Sequence, residues 1–103
     1  MSDETYSVLD LQKIIHPVAA RYGVERVFLF GSHARGDAKS GSDIDLRIDS
    51  GAIRGYFKLA GFRRELEQAL VSHVDVLTTG SLEEAFLSDI AEEEILLYEQ
   101  ARQ

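Results

Sequence analysis

Seven consecutive residues constrain the fold more than any others: Asp43, Ile44, Asp45, Leu46, Arg47, Ile48 and Asp49 alternate polar and apolar without a break. On a helix these side chains would scatter around the circumference. In a strand, alternate residues share a face, so Ile44, Leu46 and Ile48 turn to a core while Asp43 and Asp45 lie on the opposite side. The spacing predicts a half-buried strand. Residues 24–30, a run rich in β-formers that ends at Gly31-Ser32, predict a buried strand, and residues 74–77 a third one. Residues 95–98 read as a short fourth strand in preference to more helix.

Helical spacing appears three times between these runs. Val8, Leu11, Ile15, Val18 and Tyr22 mark a first helix, with Ser7 or Asp10 to cap it and Gly23 to stop it. Pro17 predicts a kink or restart near His16. Residues 31–41 should be a turn containing a short helical piece at 32–35, and residues 50–55 a loop. Leu59, Phe62, Leu66, Ala69 and Leu70 mark a second helix, against which Gly61 counts about 1 kcal/mol. Leu82, Ala85, Phe86 and Ile90 mark a third, with Ser81 as its expected cap and Glu83 and Glu84 suiting its N-terminal dipole. The order is αββαβαβ. The expected fold is α/β or α+β, a small mixed sheet of about four strands with helices packed on it. At 103 residues, one domain spanning 1–103 is expected, too short for a separate substrate-recognition domain.

The chemistry lies in Gly31-Ser32-His33-Ala34-Arg35-Gly36 and Ser42-Asp43-Ile44-Asp45-Leu46. Two carboxylates on one strand face, about 6–7 Å apart, repel each other unless a cation sits between them. Oxygen donors of this kind suit Mg²⁺ or Mn²⁺ rather than zinc. Alone, Asp-x-Asp reads equally as a polar strand face that keeps an edge soluble. The preceding Gly-Ser turn changes the balance. Its backbone N–H groups and hydroxyl can cradle phosphate, and glycine lets the chain approach a ligand closely. Together the two stretches offer what a metal–triphosphate complex requires. Asp75, between Val74 and Val76, completes the cluster if its strand neighbours that of Asp43 and Asp45, and three carboxylates permit two-metal chemistry. Spacing leaves open whether Asp75 simply faces solvent.

Composition narrows the partners. Acidic residues outnumber basic ones 18 to 11, for a formal charge of -7, which argues against direct nucleic-acid binding. Arg54, Lys58, Arg63 and Arg64 cluster in sequence and read as a solvated helix face. No apolar run is long enough for a membrane span, and residues 1–6 are polar and acidic, unlike a signal peptide. There is no cysteine, which removes disulfides and thiolate metal sites and fits a cytoplasmic protein.

These residues resemble the DNA polymerase β-type nucleotidyltransferase superfamily, and within it the stand-alone minimal nucleotidyltransferases. The family pattern is a hydrophobic strand, Gly-Ser-x-Ala-Arg-Gly, a loop, Ser-Asp-x-Asp-Leu, then an isolated Asp in a hydrophobic strand. This chain matches it at 27–36, 42–46 and 74–76, and more loosely over 14–98. The resemblance implies that Gly31 and Ser32 hold the triphosphate of ATP. It implies that Asp43 and Asp45 bind Mg²⁺, two ions in all with Mn²⁺ as a substitute. Asp75 would bind one ion and serve as, or orient, the base. Arg35 contacts phosphate or forms a structural ion pair; His33 carries no expected role. The implied reaction is in-line attack on the α-phosphate with pyrophosphate leaving, catalysed mainly by positioning and charge stabilisation. Stand-alone members are often antitoxins that adenylylate a tyrosine of a helical HEPN-type ribonuclease toxin. Neutralisation by binding alone and modification of a small molecule are the competing readings.

Overall fold

The computed structural model describes residues 6–101, in the order α1 (Val8–Tyr22), β1 (Arg26–Phe30), α2 (Ser32–Arg35), β2 (Ile44–Asp49), α3 (Gly55–Leu70), β3 (Val74–Thr78), a 3₁₀ turn (Thr79–Ser81), α4 (Glu84–Ala91) and β4 (Ile95–Glu99). Apart from Tyr6, the polar start lies outside the described residues. The strands form one mixed sheet ordered β3-β2-β1-β4. β1 is antiparallel to both β2 and β4, and β2 is parallel to β3. Parallel neighbours need a crossover, which α3 supplies.

Helix α1 starts with a reciprocal cap. Ser7 Oγ accepts from Asp10 N–H at 3.1 Å, and Ser7 N–H donates to Asp10 Oδ2 at 3.3 Å. Gly23 ends it in the left-handed conformation, φ 72°. Pro17 does not interrupt it. Leu11 and Ile15 before the proline and Val18 and Ala19 after it are all buried on the core side, and His16 meets the Tyr98 ring edge-on at 5.0 Å. This packing outweighs the one missing backbone hydrogen bond.

Helix α3 lies beside α1 on the same side of the sheet, and Gly61 is where the two come close. A Cβ there would meet the Tyr22 hydroxyl at 3.3 Å, while the Tyr22 ring packs on Phe62 at 5.5 Å. At the other end Tyr6 Oη donates to the Leu70 carbonyl at 2.5 Å. The core between these helices and the sheet includes Ile44, Leu46 and Ile48, the even positions of the alternating stretch. The four basic residues at 54, 58, 63 and 64 are all exposed.

Ser81 does not cap α4. Its hydroxyl donates to the Thr78 carbonyl at 2.8 Å and closes the 3₁₀ turn, while Glu83 occupies the cap position without a side-chain bond to the helix. α4 is anchored lightly: Ile90 alone of its residues is buried, and Phe86 meets Phe30 edge-on at 6.0 Å. Among the described residues no helix is long and apolar enough to cross a membrane.

Candidate active site

The odd positions of β2 face away from the α1–α3 layer. Asp45 stands directly opposite Asp75 in the parallel β2–β3 register, so the two carboxyls share a face and contact one another. Asp43 lies one residue before β2 begins, exposed, and its carbonyl is 3.2 Å from His33 Nδ1. Asp45 feels both of the others. Burial first, then the charges of Asp75 and Asp43, push Asp45 up to about 6. A site that raises a carboxyl in this way favours a cation.

Gly31 forms the other wall. Its φ of 79° with ψ of -155° is open essentially to glycine alone, and a Cβ there would collide with Asp45 Oδ2. The phosphate-type turn and the carboxylate strand are thus in direct contact. Between them opens a cleft of about 460 Å³ whose lining includes Gly31, Ser32, Arg35, Asp43 and Asp45, with Phe30, Phe86 and Ile90 on its apolar side. Asp75 adjoins Asp45 but is not part of this lining.

Two residues absent from the sequence reading complete the site. Glu93, just after α4, accepts from Gly31 N–H at 2.7 Å and from Arg35 Nη1 at 3.3 Å. Arg35 also pairs with Asp37 at 3.4 Å, so its guanidinium is held in ion pairs at the cleft edge. His73 lies beyond Asp75, with Nε2 3.2 Å from Asp75 Oδ1 and Nδ1 3.1 Å from Glu67 Oε2. The N–H of Val74 holds the Glu67 carboxyl below its ordinary range. Neither residue carried a local signal: Glu93 is 62 residues from Gly31, and His73 follows a helix end. The nearest available hint was the position of His73, two residues before Asp75.

The family model for the nucleotidyltransferase domain matches residues 11–98. The chain belongs to this family. Among relatives of this nucleotidyltransferase domain, the protein adenylyltransferase MntA of Thermococcus cleftensis is 31% identical over 91 residues, covering 88% of this chain and 90% of that protein. A Methanocaldococcus jannaschii protein provisionally named a protein adenylyltransferase is 36% identical over 76 residues, covering 74% and 82%. In three dimensions the domain is similar to a toxin–antitoxin crystal structure with AMP-PNP, at a TM-score of 0.75 and 20% identity, over 86% of this chain and 73% of that one. That likeness supports the fold.

Proposed function

We propose that this nucleotidyltransferase domain transfers AMP from ATP to a hydroxyl, a tyrosine of a helical HEPN-type toxin, and so acts as an antitoxin. The observation that carries the reading is the paired Asp45 and Asp75 with Asp43 beside them, set against a glycine turn that has no room for a side chain. Two of the relatives are named as protein adenylyltransferases, and one similar fold is an MNT antitoxin in complex with a tri-AMPylated HEPN toxin of Shewanella oneidensis.

The donor set fits divalent cations: three carboxyls are mutually close, and one is pushed up to about 6 by burial and by the charges of the other two. When bound, two Mg²⁺ ions, or Mn²⁺ in their place, would neutralise the triphosphate and the attacking oxygen. Asp43 and Asp45 would hold the ions. Asp75 would share one and take or orient the proton of the acceptor hydroxyl. Gly31 N–H and Ser32 would cradle phosphate oxygens. For that, Glu93 must release Gly31 N–H, which also frees Arg35 toward the phosphates. The acceptor oxygen then attacks the α-phosphorus in line as the bond to pyrophosphate breaks, and the hydroxyl proton leaves through Asp75. A cytoplasmic setting, where ATP and a toxin meet, accords with this role.

Intact-mass measurement of the partner after incubation with ATP and Mg²⁺ tests the proposal. Wild type should add AMP, and Asp43→Asn with Asp45→Asn should add none. If wild type leaves the partner's mass unchanged yet still suppresses toxicity as well as the double mutant does, neutralisation is by contact.

A further inference from the structure

Asp75 does not end the metal-binding array. We propose that His73 is a nitrogen ligand in a cation site formed with Asp43 and Asp75, so that the ion on the Asp75 side of the cluster is preferentially a transition metal such as Mn²⁺. The inference rests on the reading of Asp43 and Asp75 as metal-site residues and adds a donor that the carboxylate motif does not contain.

Three features of the geometry carry it. First, one donor atom each from Asp43, His73 and Asp75 lie within 4.8 Å of one another. Second, His73 Nε2 and Asp75 Oδ1 are 3.2 Å apart. Adjacent ligands about 2.1–2.2 Å from one octahedral ion stand roughly 3 Å apart, so a cation can replace this contact with little movement. Third, the other ring nitrogen is already committed. His73 Nδ1 lies 3.1 Å from Glu67 Oε2, and Glu67 accepts from Val74 N–H at 3.0 Å. A carboxylate behind a histidine is the usual device by which proteins fix the tautomer and aim of a metal-binding imidazole. Here it directs Nε2 at Asp75. The His73 backbone is anchored too, since its carbonyl accepts from Ile44 N–H at 3.0 Å.

The chemistry decides the metal. Mg²⁺ prefers oxygen donors and keeps its waters, whereas an imidazole raises affinity for transition ions. An all-carboxylate site would separate Mn²⁺ from Mg²⁺ less strongly than one that includes His73.

The test uses the full chain without nucleotide and Mn²⁺ as the probe. Electron spin-echo spectra of the Mn²⁺-loaded protein should show modulation from a directly bound imidazole nitrogen. The modulation should survive His33→Asn, which removes the other histidine near Asp43, and disappear in His73→Asn. His73→Asn should weaken Mn²⁺ binding about 10- to 100-fold and change Mg²⁺ binding, measured by displacement of Mn²⁺, by less than about threefold. The His73 side chain is half exposed, so the variant should keep the wild-type circular dichroism. Absence of the modulation in wild type, its persistence in His73→Asn, or equal loss of both metals overturns the inference. Modulation without AMP transfer leaves this site standing and removes the proposed function. AMP transfer without modulation does the reverse.

Discussion

Asp45 and Asp49 lie four residues apart on one strand and on one face, both partly buried, yet their carboxyls are driven in opposite directions. Asp45 is pushed up to about 6 by burial and by the charges of Asp75 and Asp43. At Asp49 burial also pushes upward, but hydrogen bonds from Thr79 and Arg26 and the charge of Arg47 hold it below its ordinary range. The far end of β2 is a closed network. Arg47 grips Glu94 with two nitrogens at 2.5 and 2.9 Å, reaches Thr79 at 2.7 Å and lies over the Phe28 ring at 4.2 Å. Arg26 joins Asp49 to Glu99. At the near end the Arg35 guanidinium is turned to Glu93 and Asp37. One end of the face is neutralised internally, and the other is left wanting positive charge. On the proposed function, the closed end serves stability and the open end serves a ligand.

Mutations should separate the two ends. The largest effect is expected at the open end. Asp43→Asn with Asp45→Asn should lower AMP transfer on the order of 10³-fold or more, from the loss of the proposed metal anchors, with the chemical denaturation midpoint unchanged or raised. At the closed end, Arg47→Ala should do the opposite. It strands Glu94, whose side chain is only 10% exposed, and should cost about 2–4 kcal/mol in urea unfolding. The transfer rate of the remaining folded protein should stay within about twofold of wild type, because the hydrogen bonds of Arg47 run to Glu94 and Thr79 rather than to the carboxyl cluster.

A smaller effect concerns pH. Asp45 has a folded-state pKa above its unfolded value, so the metal-free folded chain holds a proton that the unfolded chain releases. The stability this contributes is present at low pH and is lost as pH rises through about 6. Discounted for solvent screening, the loss is on the order of 1 kcal/mol, or about 4–8 °C in melting temperature. Calorimetry between pH 5 and 7.5 should show the decline, and Asp45→Asn should flatten it. A steeper decline in Asp45→Asn than in wild type would mean that the open end is not the source. The smallest effect is expected from Glu93→Ala. Freeing Gly31 N–H and Arg35 should tighten Mg²⁺–ATP binding about three- to tenfold by calorimetry. Weaker binding would mean that Glu93 supports Arg35 rather than screening the turn.

Much of this was legible in the sequence because it is local. Alternation in residues 43–49 assigns β2 and its faces, and the Gly-Ser turn follows from a strand running into glycine. Placing Asp75 required one further fact, that β3 lies parallel beside β2, which periodicity does not encode. The network that closes the far end was not legible at all. Arg47, Glu94, Asp49 and Thr79 are ordinary surface residue types, and Arg47 and Glu94 are 47 residues apart. Sequence separation hid Glu93 in the same way. Ser81 misled because serine before an apolar run suits a helix cap and a 3₁₀ turn equally well, and the turn won. At Pro17 the helix does not restart, because a buried face on both sides of it keeps α1 continuous.

The contact between Gly31 and the Asp45 carboxyl has a consequence for descent. Any side chain at position 31 would have to displace Asp45, so the two residues, thirteen residues of intervening chain notwithstanding, are sterically coupled. A lineage that replaces the glycine distorts the turn and disturbs the carboxyl on the neighbouring strand in one step. A lineage that replaces Asp45 with something smaller removes that contact, but the backbone at position 31 still calls for glycine. The dependence therefore runs one way: a homologue that has lost the glycine should show a changed Asp45 as well, whereas one that has lost the aspartate can keep the glycine.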